Sequence, residues 1–491
     1  MKQHRWHMTG LTLVGRAPAL VLMLAVGLAL ATQLVVVPQG VPLAAIALFL
    51  AAGLLAMTAM RARPLAPCEP VPVAVEAIGL MLVLGAALFF RFYQLDSAPE
   101  GVWYDEAQQG NVALRMLSDP TFRPVYLGRY DVHLPALHIY WQAIAIALLG
   151  PTIVALRLVT TLVGLVSVVG TYALARQLFG VPVALAAGLL VAVERWHVNF
   201  SRTAMNGILA PTVALGVFYF ALRGLQTGSR LDMALAGVCL GLGIYSYTPF
   251  NMVPLILGCT VLALFLRANS PRSLLAARWR GLVLMLAVAA VVMVPMLRYI
   301  AEDREGYTER MRVASVFREG KSTDQAVADL VENVRRHLVM LHYRGDPNGR
   351  HNLPGEPMVD PITGALLVLG LAYSLRHIRR PEHALLVSWL VFGVVPGVLS
   401  LEFEAPQGLR SILLTPVVAL LPALVIGWLL GRAWEARRRL GGSAVALPAA
   451  ALIGLAGWAN FDTFFNRQLT DFAAWASFST GETLAARAIN A

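Results

Sequence analysis

Stretches of roughly 17 to 25 mostly apolar residues, the length that crosses a hydrocarbon layer as a helix, recur along this 491-residue chain. No other feature limits the fold as severely. Lipid offers the backbone no hydrogen-bond partners, so a spanning segment must satisfy its own N–H and C=O groups. Runs of this length do so as helices, because tilted barrel strands need only about 9–11 residues. Charged residues make up 14% of the chain, against about a quarter in soluble domains. The expected fold is an all-α polytopic membrane protein.

About thirteen spans are expected, at 17–37, 41–60, 72–90, 154–175, 183–198, 204–222, 232–248, 251–266, 281–298, 361–375, 384–400, 411–430 and 443–460. Residues 1–71 carry two spans ahead of a main body at 72–460, and 461–491 form a short tail. The first helix is expected to stay uncleaved, although Ala29-Leu30-Ala31 resembles a signal-peptidase site.

The net charge of +11 suggests nucleic acid at first sight. In a polytopic chain it is explained by Lys and Arg gathering in cytoplasmic loops, and no nucleic-acid partner is expected. With the N-terminus in the cytoplasm, Arg61, Arg176, Arg223, Arg278, Arg379 and Arg437 fall inside, and short outer loops keep Arg195, Arg202 and Arg410. The expected location is a bacterial cytoplasmic membrane. Residues 134–149 are apolar but short, and crossing there would invert every later loop, so they are read as a helix in the outer interface. The long outer segments are then 91–152, 299–360 and the tail, whose Phe472, Trp475, Phe478 and Leu484 suggest an amphipathic helix on the membrane surface. Cys68, Cys239 and Cys259 have no metal-ligand spacing and imply no disulfide framework. No P-loop, dinucleotide fingerprint or zinc motif occurs, which removes support for ATP-driven transport.

Chemistry concentrates in the first outer segment, at Trp103-Tyr104-Asp105-Glu106-Ala107. Asp105 followed by Gln108 reads as a capping box, and a carboxylate held at a helix start keeps its charged form. Such a carboxylate can accept a proton from an incoming hydroxyl or amine. Arginine within a span marks a polar site or snorkels to the interface; Arg157 is such a residue. With Arg202 and Arg410 it could hold a phosphate through charge-assisted bonds. His133 opens the interfacial helix near Asp131 and is a further candidate contact for a phosphate or an acceptor. Tyr104, and Asp346, Arg350 and His351 in a Gly- and Pro-rich loop, are candidate acceptor contacts. Glu106 or Asp346 could join a divalent cation, though no ligand spacing demands one.

The ordered set is a span, Tyr104-Asp105-Glu106-Ala107 with Gly110 and Ala113, His133-x-Pro135, Leu148-Leu149-Gly150, Ala155-Leu156-Arg157-Leu158, and a small-residue span ending Tyr172 to Gly180. It resembles the GT-C membrane glycosyltransferases of the protein mannosyltransferase and aminoarabinose transferase type, closely over 72–225. The resemblance implies a sugar donor on a polyprenyl phosphate and an inverting transfer at the outer face to a lipid, glycan or protein. It implies Asp105 as base with Glu106 as its acidic neighbour. It matches His133 to the basic residue of a Lys/His-Pro-Pro element, and Arg157 to a span arginine that meets the donor phosphate. Leu134 departs from the family's proline.

Two other functions stay open on the sequence. A flippase for lipid-linked sugars would carry ionisable residues deep in several spans. A polymerase or ligase of preassembled glycans would not need the first-loop Asp-Glu pair.

Overall fold

The computed structural model describes residues 7–61, 71–128, 133–268, 270–440 and 446–490. Cys68 and Asp131 lie outside them. The described residues form helices joined by turns, in the order α1 (His7–Ala31), α2 (Pro42–Arg61), α3 (Val73–Phe92), α4 (Tyr104–Ser118), α5 (Leu137–Leu149), α6 (Ile153–Phe179), α7 (Val181–Val193), α8 (Arg195–Arg202), α9 (Leu209–Thr227) and α10 (Arg230–Leu242). There follow α11 (Val253–Arg267), α12 (Pro271–Glu302), α13 (Arg304–Val313), α14 (Thr323–Val339), α15 (Pro361–Arg376), α16 (Pro381–Val398), α17 (Thr415–Leu440), α18 (Ala446–Phe461), α19 (Phe472–Ser477) and α20 (Thr480–Asn490).

Among the described residues nine helical stretches are long and apolar enough to cross a membrane, ten if the bent pair α7–α8 counts as one. The sequence expectation was thirteen. The runs at 232–248, 361–375 and 443–460 form helices of only 13, 16 and 16 residues, because apolarity alone does not set where a helix stops. The run at 183–198 breaks at Glu194, whose backbone leaves the helical region (φ −60°, ψ 116°); α7 and α8 meet there at 56°. The 134–149 run is the 13-residue α5, too short to be a straightforward span.

The centre of the bundle is α17. Its apolar stretch has no polar face, and residues 411–429 are buried throughout. Small residues bring its neighbours close: a Cβ on Gly370 of α15 would lie 2.0 Å from the Leu421 carbonyl oxygen. Such small-residue contacts are how helices associate where burial from water drives nothing. At one end of α3 and α6, Glu76 accepts from Tyr172 and pairs with Arg176. The two N-terminal helices α1 and α2 pack on each other and on α15. The turn between them rests on the 299–360 segment, where Gln33 Nε2 donates to the His342 carbonyl at 2.7 Å.

The segment 91–152 has its own small core. Ala113 and Met116 of α4 meet Ile139, Ala143 and Ile146 of α5, with Phe122 and Leu127 between. The tail is not simply spread on a surface. Phe472 and Trp475 stay exposed, but Phe478 is buried, the Val102 amide donates to Thr483 Oγ1 at 2.9 Å, and Arg487 Nη2 reaches the Glu100 carbonyl at 3.4 Å. Gly101 permits this docking, since a Cβ there would lie 2.3 Å from the Phe478 carbonyl oxygen. Cys239 and Cys259 are free thiols.

Candidate active site

Helix α4 begins at Tyr104, with Trp103 as its N-cap. The carboxylate that caps it is Glu106, which accepts from the Trp103 amide at 3.1 Å. This corrects the capping box expected at Asp105 and Gln108: Asp105 sits one position inside the helix. The adjacent carboxylates thus face different surroundings. Glu106 is fully buried. Its Oε1 also accepts from the Ala204 amide at 2.7 Å and from Arg157 Nε at 3.3 Å, and its Oε2 lies 3.5 Å from Arg157 Nη2. Asp105 is half-buried, and among the described residues no hydrogen bond engages its carboxylate.

Arg157 is engaged within the protein. It is fully buried, and besides Glu106 it donates to the carbonyls of Pro99 at 2.7 Å and Gly101 at 2.6 Å. Arg202 is likewise buried and engaged, donating to the carbonyls of Phe90, Tyr93, Gln94 and Ala98 at 2.7–3.0 Å. Both arginines hold the segment between α3 and α4 in place. The expected phosphate site built from Arg157 and Arg202 is replaced in this arrangement by contacts to the loop, because a buried guanidinium recruits nearby carbonyls, although Nε of Arg202 is left without a hydrogen-bond partner. Arg91, missed in the sequence because it closes a span as an ordinary interfacial arginine would, does the same. It is fully buried and bonds the Ala192 carbonyl at 2.9 Å and His197 Nδ1 at 2.8 Å.

Arg350 is a cation within electrostatic reach of Asp105. Its guanidinium carbon lies 3.5 Å from the centroid of the Trp103 ring, a close cation–π contact. Burial pulls its pKa down, and the nearby carboxylates of Asp105, Asp346, Glu106 and Glu404 oppose that fall, Asp105 most. Nη1 of Arg350 is buried without a hydrogen-bond partner. The loop is held firmly, since the Arg350 carbonyl accepts from Asn199 Nδ2 at 2.6 Å. Nothing local in the sequence ties position 350 to 103.

Arg410 lies beside this group, paired with Glu404 at 2.7 Å. Tyr247 is next to it; burial pushes its phenol up, against the pull of Arg410 and Arg310. Asp346 and His351 are brought together at 2.7 Å, but both are buried. Asp346 also accepts from the Gly408 amide at 2.6 Å and the Asn348 amide at 2.8 Å, so the pair braces the Arg350 loop and is closed to an acceptor. Tyr104 is exposed and lines a depression with Glu482 and Arg487 of the tail. His133 has positive φ (46°) and stands 3.9 Å from Glu309 of α13. Among the described residues no group of three or more His, Cys, Asp or Glu side chains could hold a metal, and Glu106 and Asp346 are occupied as described.

Residues 133–299 match the family described as dolichyl-phosphate-mannose-protein mannosyltransferase; Asp105 and Arg350 lie outside that stretch. No curated protein matches the chain. Among solved structures, the oligosaccharyltransferase of Archaeoglobus fulgidus in the apo form is similar, with TM-score 0.56 and 13% identity over 81% of this chain and 56% of that one. The chain thus spans just over half the length of that enzyme. ArnT from Cupriavidus metallidurans bound to undecaprenyl phosphate is similar with TM-score 0.50 and 16% identity, over 84% of this chain and 77% of that one. At such identities the likeness is one of fold. The chain is a polytopic helical membrane protein similar in fold to these two enzymes, and its residues 133–299 match the model of the protein mannosyltransferase family.

Proposed function

We propose that this protein transfers a sugar from a polyprenyl-phosphate donor to an acceptor on the extracytoplasmic face of a membrane, with inversion. The observation that carries the reading is the division of labour between adjacent carboxylates. Glu106 is locked to Arg157 and two backbone amides, whereas Asp105 is unbonded, held by the same helix turn, and within electrostatic reach of Arg350. Asp105 takes the proton of the acceptor as its oxygen or nitrogen attacks the anomeric carbon. The bond from that carbon to the phosphate oxygen breaks on the opposite side, and the phosphate leaves with the electron pair. Arg350 and Arg410 stabilise the charge that develops on it. Arg157 and Arg202 position the loop. His133 contributes from the family-matched segment as a second contact of the donor headgroup. The residue groups 72–460 and 461–491 act together, because the tail docks on the loop that presents Asp105.

The family match and the fold likeness support a polyprenyl-phosphate donor, and ArnT was solved with undecaprenyl phosphate bound. The test uses purified protein in liposomes with a radiolabelled polyprenyl-phosphate sugar and an envelope lipid and glycan extract. Label moved to an acceptor supports the proposal. Donor moved across the bilayer without transfer makes the protein a flippase and overturns it.

A further inference from the structure

A cavity of about 710 Å³ lies between the N-terminal helical pair and the 299–360 segment, away from Asp105. One wall is a face of α2, Pro42, Ala45, Ile46 and Phe49. Those positions follow the i, i+3, i+4, i+7 stripe of a helix, so the wall descends along α2 by about 10 Å at 1.5 Å per residue. The opposite rim carries Arg335, Arg336 and Arg344. One carboxylate, Glu332, is shared by Arg335 at 2.6 Å and Arg336 at 2.8 Å. Two guanidiniums on one carboxylate leave a positive charge over, and Arg344 is exposed and adds a second. Arg336 also donates to the carbonyls of Glu402 and Ala405, so Arg335 and Arg344 are the freer pair.

We infer that this groove binds an anionic glycerophospholipid of the surrounding bilayer, its phosphate on Arg335 and Arg344 and a chain along Ala45, Ile46 and Phe49. Charge and access select that occupant. The apolar side chains bordering the groove are exposed, Ile46 at 55% and Leu338 at 73%, so in a membrane the groove opens sideways into lipid. Arginines at the head of an apolar groove are the arrangement that retains an acidic headgroup at the interface. The inference also gives the N-terminal pair a role: α2 supplies the chain-binding wall, and Gln33 and Phe49 lock the pair to His342 at the groove's edge.

The test places the full-length protein in phosphatidylcholine vesicles doped with photoreactive phosphatidylglycerol and maps the cross-links by mass spectrometry. Labels are expected in the peptides spanning 41–49 and 338–345. The double substitution R335Q/R344Q is expected to lower labelling roughly tenfold or more. Ile46→Trp, which fills the groove and leaves both arginines intact, is expected to lower it comparably. Equal labelling by photoreactive phosphatidylcholine, or labelling unchanged in either variant, overturns the inference. So does displacement of the label by undecaprenyl phosphate but not by unlabelled phosphatidylglycerol, which would give the groove to the polyprenyl lipid. None of these readouts depends on glycosyl transfer, so the site stands or falls separately from the proposed activity.

Discussion

Glu106 Oε1 and Arg157 Nε meet at 3.3 Å with both side chains fully buried. This ion pair joins the first turn of α4 to the first turns of α6, and through the Pro99 and Gly101 carbonyls it fixes the loop before Asp105. Removing one partner of a buried pair leaves a charge without compensation, which costs about 3–5 kcal/mol. Glu106→Ala is therefore expected to lower the melting temperature of the purified protein markedly and to cut the yield of folded protein. A variant that melts like the parent would show that the pair is not a clamp.

Asp105→Asn should behave in the opposite way. Its carboxylate holds nothing together, so the variant is expected to melt normally and to lose about 10²–10⁴-fold in transfer rate. Full transfer by this variant would remove Asp105 from the mechanism.

Arg350→Lys keeps the charge but gives up the planar stack on Trp103 and the guanidinium fork. Turnover at saturating donor is expected to fall by roughly 10²-fold, the usual consequence of losing one donor aimed at developing charge. Trp103→Leu should reproduce part of that loss, because it frees the Arg350 side chain. Single-turnover rates with unchanged melting temperature are the readout; a change in melting alone would assign Arg350 a structural part.

Arg202 and Arg410 are separable in the same terms. Arg202→Ala strands buried carbonyl oxygens, at about 1–3 kcal/mol for each left unsatisfied, and is expected to destabilise the protein. Arg410→Ala breaks a partly exposed pair and is expected to raise the donor KM with little change in melting. Donor titrations beside thermal melts distinguish the two, and a selective KM effect in the Arg202 variant would contradict its assignment.

His337 on α14 is expected to make the 299–360 segment sensitive to acid. It is buried, its Nδ1 lies 2.7 Å from the Asn333 carbonyl, and its Nε2 accepts from the Gln407 amide at 3.1 Å. That pattern requires the neutral ring. Burial lowers its pKa below 6.5, outweighing the Asn333 carbonyl and Asp346, which act to raise it. The unfolded chain therefore takes up a proton first as pH falls, and stability rises with pH in the window below about 6.5. The protection factors of amides in residues 405–410 are expected to fall as pH drops from 7 through about 6, and His337→Gln should flatten that dependence. Exchange rates that follow only the intrinsic pH trend would argue against it.

How far the site was legible depends on the residue. Asp105 and Glu106 stand out in the sequence, because two acids in a polar loop between spans are conspicuous. Their separate roles are not legible, since what distinguishes them is which one meets Arg157, 51 positions away. Arginines at span ends look alike in sequence. Only their surroundings tell the fully buried brace of Arg202 from Arg410, which keeps some exposure and pairs with Glu404. Arg350 was grouped with Asp346 and His351 by proximity along the chain, yet the three divide, two bracing the loop and one within electrostatic reach of Asp105.

By itself the sequence determined that the chain is a helical membrane protein, because backbone hydrogen bonds in lipid leave helices as the only solution for apolar runs of that length. It determined where polar chemistry could lie, because lipid excludes it elsewhere. The tertiary structure decided the number of full-length spans, since breaks such as Glu194 and short packed helices such as α15 depend on neighbours. It also decided which charges are braces and which are left for a substrate, because a buried ionisable group must find partners and those partners come from distant parts of the chain.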